Sequence, residues 1–112
     1  MKGVYLIGYI ETKEEKLLKS VSEIRYVILK VCEFMKLNIV KEKFHIFKNP
    51  YGITYCFILS QSHFIIHTWS EESKIFFDVF TCNKELSKEK LVNLLSNEFK
   101  GKVKDIRRIE HR

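Results

Sequence analysis

The sequence predicts an α+β two-layer sandwich, a largely antiparallel sheet with two helices on one face. Three observations predict it. Two segments carry apolar residues at three- and four-residue steps, the mark of a helix face. About six extended runs are rich in aromatic and β-branched residues. Short turns join consecutive extended runs, and antiparallel pairing accepts such links whereas parallel pairing needs a long crossover.

Gly3 to Glu11 opens as a strand, since Val4, Leu6 and Tyr9 with Tyr5, Ile7 and Ile10 leave little polar surface. Thr12 or Ser20 caps the helix that follows. Leu17, Val21, Ile24, Ile28, Val31 and Met35 form one face of that helix, which ends near Lys36. Asn38 to Phe47 is extended, with Val40, Phe44, Ile46 and Phe47. Lys48-Asn49-Pro50-Tyr51-Gly52 is a turn cluster. Ile53–Leu59, Ser62–Trp69 and Ile75–Thr81 are further strands, the last two parted by a polar loop at Ser70–Lys74. Ser87 supplies the cap half of a capping box, with Lys90 where Glu would complete it. Leu91, Val92, Leu94, Leu95 and Phe99 mark the second helix, Gly101 closes it, and Lys102–Glu110 is a last strand. The order is β-α-β-β-β-β-α-β. Ile53–Leu59 and Ile75–Phe80 are apolar on both sides, and two helices cover only one sheet face. A sheet apolar on both faces needs cover on both, so the second face is expected to meet another protomer in a homodimer.

The 112 residues suit one domain, 1–112, and no repeat or boundary interrupts them. Hydrophobic residues at 46% exclude a disordered chain, and one Pro with four Gly excludes collagen-like and linker classes. No apolar run nears the roughly 20 residues that span a bilayer, so no membrane partner is expected. Met1–Ile7 has one basic residue and a short apolar run, then turns polar without a small-residue cleavage site. Cys32, Cys56 and Cys82 are odd in number, widely spaced and lack a CxxC, which fits a reducing compartment. The expected location is the cytoplasm. The net charge of +6 permits nucleic acid as a partner. However, the lysines are scattered, and Asp105 and Glu110 dilute the densest stretch, Lys102–Arg112, so the charge reads as a solvated surface. A basic α/β module that stacks nucleic-acid bases on sheet aromatics is the alternative from another class.

Chemistry-bearing residues concentrate in Gln61-Ser62-His63-Phe64-Ile65-Ile66-His67-Thr68-Trp69-Ser70-Glu71 and Asp78-Val79-Phe80-Thr81-Cys82. A metal pair of His63 and His67 is disfavoured, because four residues on a strand span about 13 Å. Cys82 with His67 is a possible nucleophile pair, which spacing neither supports nor excludes. The plainer alternative is a set of hydrogen-bonded polar residues and a cysteine that fills space. On an ideal strand Ser62, Phe64, Ile66 and Thr68 face one way and His63, Ile65, His67 and Trp69 the other, so Ser62 and His67 diverge unless Ser62 starts the strand in a bend.

The segment Ser62-His63-Phe64-Ile65-Ile66-His67-Thr68-Trp69-Ser70-Glu71, followed by Asp78-Val79-Phe80-Thr81-Cys82, resembles the signature of the prokaryotic S-adenosylmethionine decarboxylases. These are small self-processing pyruvoyl enzymes. Phe44-His45-Ile46-Phe47 and Pro50-Tyr51-Gly52 resemble the same family, so the likeness is sharp over residues 44–82 and architectural elsewhere. Two signature positions differ: Gln61 stands where the family has Glu, and Ser70 where it has Pro. The family's early basic-histidine element is absent from Val4–Gly8.

The resemblance implies self-cleavage between Gln61 and Ser62 into chains 1–61 and 62–112. Ser62 becomes the pyruvoyl group that holds the substrate amine as a Schiff base, with no metal and no pyridoxal phosphate. It implies His67 as the helper in processing, Thr54 as a supporting hydroxyl and Cys82 as the proton donor to the substrate α-carbon. Phe47 and Trp69 would face the adenine and sulfonium of S-adenosylmethionine, and Glu71 the ribose hydroxyls. The product would be the aminopropyl donor for polyamine synthesis. A pyruvoyl-dependent arginine decarboxylase of the same fold is the nearer alternative.

Overall fold

The structure is a computed structural model and describes residues 3–82 and 86–111. Six strands form one antiparallel sheet: β1 (Gly3–Glu11), β2 (Ile39–Lys48), β3 (Tyr51–Leu59), β4 (Ser62–Trp69), β5 (Lys74–Thr81) and β6 (Lys102–His111). Their order across the sheet is β2-β3-β4-β5-β1-β6. Helices α1 (Glu15–Lys19), α2 (Val21–Phe34) and α3 (Lys88–Glu98) cover one face. The α+β two-layer reading therefore holds. No described helix is long and apolar enough to cross a membrane.

The predicted first helix is two helices. Ser20 takes an extended backbone (φ −107°, ψ 115°), which ends α1, and its hydroxyl accepts from the Glu23 N–H at 3.3 Å, which starts α2. Cap chemistry thus overrides an apolar periodicity that runs straight through the break. Thr12 works as well: its Oγ1 accepts from the Glu14 N–H and donates to the Lys100 carbonyl. Ser87 caps α3 through the Lys90 N–H at 3.2 Å.

Gly101 does not close α3 in the way the sequence suggested. Lys100 takes the left-handed conformation, φ 52°, and the Gly101 N–H then bonds back to the Ser96 carbonyl at 3.0 Å. Gly101 is needed for another reason, because a Cβ there would overlap the Glu11 carbonyl oxygen of β1. The predicted turn cluster is also shorter than expected. Lys48 already pairs with Tyr51, so only Asn49 and Pro50, joined by a cis peptide, link β2 to β3.

Register decides which side chains share a face. Phe64, Ile66 and Thr68 on β4 are buried beneath the helices with Ile53, Tyr55 and Phe57 of β3 and Ile75, Phe77 and Val79 of β5. The alternation predicted for Ser62–Trp69 is therefore present. On the opposite, open face stand Tyr5, Ile7, Cys56, Ile58, Ile65, Phe76 and Phe80, and Ile58 remains 52% exposed.

Candidate active site

The hairpin between β3 and β4 has a two-residue link, Ser60-Gln61, since Leu59 pairs with Ser62. Gln61 is left-handed at φ 56°, a conformation that costs a non-glycine residue roughly 1–2 kcal/mol. Ser62 is thus the first residue of β4 and directly follows a bend, but the β3–β4 register runs without a shift from Ser62 to Trp69, so Ser62 and His67 keep the opposite faces that strand parity gives them. The ladder contact of Ser62 runs to β3 alone, because the β4–β5 register begins at His63 opposite Phe80. Cys82 follows β5 and donates its thiol to the Gln61 carbonyl oxygen at 3.5 Å. This contact sets Cys82 beside the Gln61–Ser62 bond at which the resemblance implies the cut.

His67 lies elsewhere. Five residues of strand separate it from Ser62, about 17 Å along β4. Its cross-strand partner is Thr54, and Thr54 Oγ1 shares a hydrogen bond with His67 Nδ1 at 3.0 Å. The pair opens onto a groove of about 480 Å³ lined also by Phe47, Pro50, Tyr51, Trp69 and Phe76. Phe47 is 52% and Trp69 45% exposed, so both aromatic faces are available. Gly52 keeps the groove floor tight, as a Cβ would come within 2.7 Å of the Thr68 carbonyl oxygen. Glu71 sits exposed on a short 3-10 turn, Ser70–Glu72, and is not among the lining residues. Ser70 Oγ donates to the Tyr51 carbonyl at 2.8 Å, a tether that replaces the fixed φ of a proline.

A family model for S-adenosylmethionine decarboxylase matches residues 5–112, nearly the whole chain. The chain belongs to the S-adenosylmethionine decarboxylase family.

Relatives span bacteria and archaea. An S-adenosylmethionine decarboxylase proenzyme of Clostridium botulinum is 35% identical over 85 residues, 73% of this chain and 72% of that protein. One from Archaeoglobus fulgidus is 30% identical over 98 residues, 88% and 87% of the two chains. One from Thermodesulfovibrio yellowstonii is 28% identical over 104 residues, 93% and 76%. The crystal structure of the adenosylmethionine decarboxylase from Aquifex aeolicus superposes with a TM-score of 0.77 at 21% identity, covering 97% of this chain and 88% of that one, and establishes the fold.

Within this S-adenosylmethionine decarboxylase fold, the sequence reading assigned no role to Tyr51, Phe76 or Asp78. Tyr51 and Phe76 enter the groove only because register sets Lys48 opposite Tyr51 and His67 opposite Phe76. Asp78 was visible in the motif, but its partner was not: His63 Nε2 donates to Asp78 Oδ1 at 3.3 Å.

Proposed function

We propose that this chain is a self-processing S-adenosylmethionine decarboxylase that cuts itself between Gln61 and Ser62 and carries a pyruvoyl group at residue 62. One observation carries the reading beyond family membership: the Cys82 thiol bonds to the carbonyl oxygen of the residue to be cut, in a two-residue link with a left-handed Gln61. A donor on that oxygen draws electron density from the carbonyl carbon, as an oxyanion stabiliser does. Ser62 Oγ adds to the Gln61 carbonyl carbon, the Gln61–Ser62 C–N bond breaks, and the nitrogen takes a proton, leaving an ester and a free amine. A base removes the Ser62 Cα proton, and the Gln61 carboxylate leaves from Cβ. Addition of water and loss of ammonia leave a carbonyl at Cα. The residues present fit this group, since Ser62 ends a strand held by β3 on one side only and the thiol stands beside it.

The pyruvoyl carbonyl supplies the electron sink for the pair left when CO2 departs. The chain's own side chains do the rest. Cys82 donates the proton to the substrate α-carbon. Phe47 and Trp69 offer faces to adenine and to the sulfonium cation. Glu71 accepts from ribose hydroxyls. His67, held by Thr54, is the base for elimination. The three unpaired cysteines support a reducing compartment, the cytoplasm.

The separation of about 17 Å along β4 supports a reading in which His67 acts on another copy. The Cys82–Gln61 contact and the Thr54–His67 groove lie at opposite ends of β4. A two-fold axis between two such sheets, across β4, sets each chain's Cys82 end over its partner's groove. This homodimer also covers the open apolar face.

Intact mass tests the reading. Chains 1–61 and 62–112 are expected, the second without a free α-amine, and Ser62→Ala should remain whole. A single full-length species after prolonged warm incubation would overturn it. Co-expression of a Cys82→Ala chain with a His67→Ala chain tests the shared site. Mixed dimers would carry one intact site, and about a quarter of wild-type activity should return. No recovery would place both residues in one chain's site.

A further inference from the structure

Cutting at Ser62 removes the covalent link that holds the start of β4 against β3. What then fixes the new chain end is visible in the residue next to it. His63 is the first β4 residue laddered on both sides, to Ile58 of β3 and Phe80 of β5. Its side chain lies on the open face, where Nε2 donates to Asp78 Oδ1 at 3.3 Å across the sheet. Tyr5 and Phe80 flank the ring, with centroids 6.5 and 5.8 Å away. Asp78 is held in turn at the centre of the sheet, opposite Ile65 of β4 and Ile7 of β1. Among the described residues, Ser62 has no ladder partner on β5.

We propose that His63, tied to Asp78, is the positioning residue that keeps residue 62 in register after the cut; this rests on the self-processing reading above. The group at residue 62 is joined to the protein only through the His63 nitrogen once Gln61 is released. A free strand end frays unless side chains hold it. A misplacement of about 1 Å at a reacting atom can cost on the order of 100-fold in rate, so an anchor one residue away serves kcat more than substrate affinity. In the uncut chain the hairpin itself does this work, and the anchor is then redundant.

That redundancy supplies the test. Amide hydrogen exchange over residues 63–66 is measured in the cut protein with His63→Leu, His63→Gln and Asp78→Asn. The same substitutions are made in the uncut Ser62→Ala background. In the cut protein His63→Leu is expected to raise exchange about tenfold, the size of one hydrogen bond to a charged group. His63→Gln, which keeps a donor, should restore most of the protection, and Asp78→Asn should fall between. In the uncut background the three variants should match their parent. With S-adenosylmethionine, His63→Leu should lower kcat about tenfold or more and leave KM within about twofold. Equal increases in exchange in cut and uncut proteins would show a merely structural role and overturn the proposal, as would unchanged exchange in the cut variants. A wild-type chain that never cuts overturns the processing reading and this one together; a cut chain with an indifferent His63 overturns this one alone.

Discussion

At the scale of single residues, two cysteines in one fold meet opposite environments. Cys82 touches the Gln61 carbonyl at the surface, whereas Cys32 on α2 is 1% exposed. Cys82→Ser keeps a donor and is expected still to cut, but a hydroxyl is a poor acid for the α-carbon. Turnover should fall about 10²–10⁴-fold, followed as CO2 release from S-adenosylmethionine. Cys82→Ala lacks the donor and should also cut more slowly by intact mass. Unchanged turnover in the serine variant would remove Cys82 from proton transfer. For Cys32, burial pushes the thiol from its ordinary 9.0 up to about 12. The folded chain holds this proton while the unfolded chain releases it above pH 9, so the contribution to stability is whole below pH 9 and lost as pH climbs toward 12. Burial likewise raises the Tyr55 hydroxyl to about 12, and its bond to Glu42 adds to the rise, so Tyr55 acts in the same direction above pH 10. Urea midpoints across this range should therefore fall more gently in Cys32→Ala than in the wild type. The motif resemblance picked out Gln61, Ser62 and Cys82 as a group, but the left-handed Gln61 and the thiol's bond to its carbonyl come only from the hairpin geometry. Tyr51, Phe76 and the His63–Asp78 bond were not legible, since each depends on which residues of neighbouring strands stand opposite.

At the scale of elements, the junction of α3 and β6 separates two demands that a glycine usually meets alone. Lys100 holds the left-handed turn and Gly101 the close approach to Glu11. The two substitutions should therefore act in opposite directions. Lys100→Gly relieves strain in the left-handed region and should stabilise by about 0.5–1 kcal/mol. Gly101→Ala forces β1 and β6 apart and should destabilise by about 2–4 kcal/mol, both read from urea unfolding. The sequence revealed that a helix ends near Gly101 but assigned the wrong residue to the turn, because glycine is the usual occupant of φ > 0. The break at Ser20 was hidden for a related reason. Leu17 and Val21 continue the apolar spacing, and only the Ser20 hydroxyl, turned to the Glu23 N–H, separates one helix from the next. Strands were read more faithfully, since alternation with one buried face leaves little freedom in register.

At the scale of the whole molecule, the open sheet face governs behaviour in solution. With Ile58, Phe47, Trp69 and Ile109 all about half exposed, sedimentation is expected to give a dimer at micromolar concentration, and a monomer there would contradict the shared site. Two-sided apolarity of β3 and β5 made this face legible from sequence, but not which end of it meets which end of a partner. The order β2-β3-β4-β5-β1-β6 has one more consequence. Residues 1–61 supply β1, β2 and β3, while residues 62–112 supply β4, β5 and β6. The two halves are not side by side, because β1 from the first is threaded between β5 and β6 of the second. After the cut, three ladders, β3 with β4, β5 with β1 and β1 with β6, would clasp two separate polypeptides like interlaced fingers. Neither could slide out without the sheet coming apart, so the halves should co-elute indefinitely under native conditions and never trade partners. Once denatured, they would have to find one another again by diffusion, and recovery of the cut protein should depend on its concentration whereas that of uncut Ser62→Ala should not.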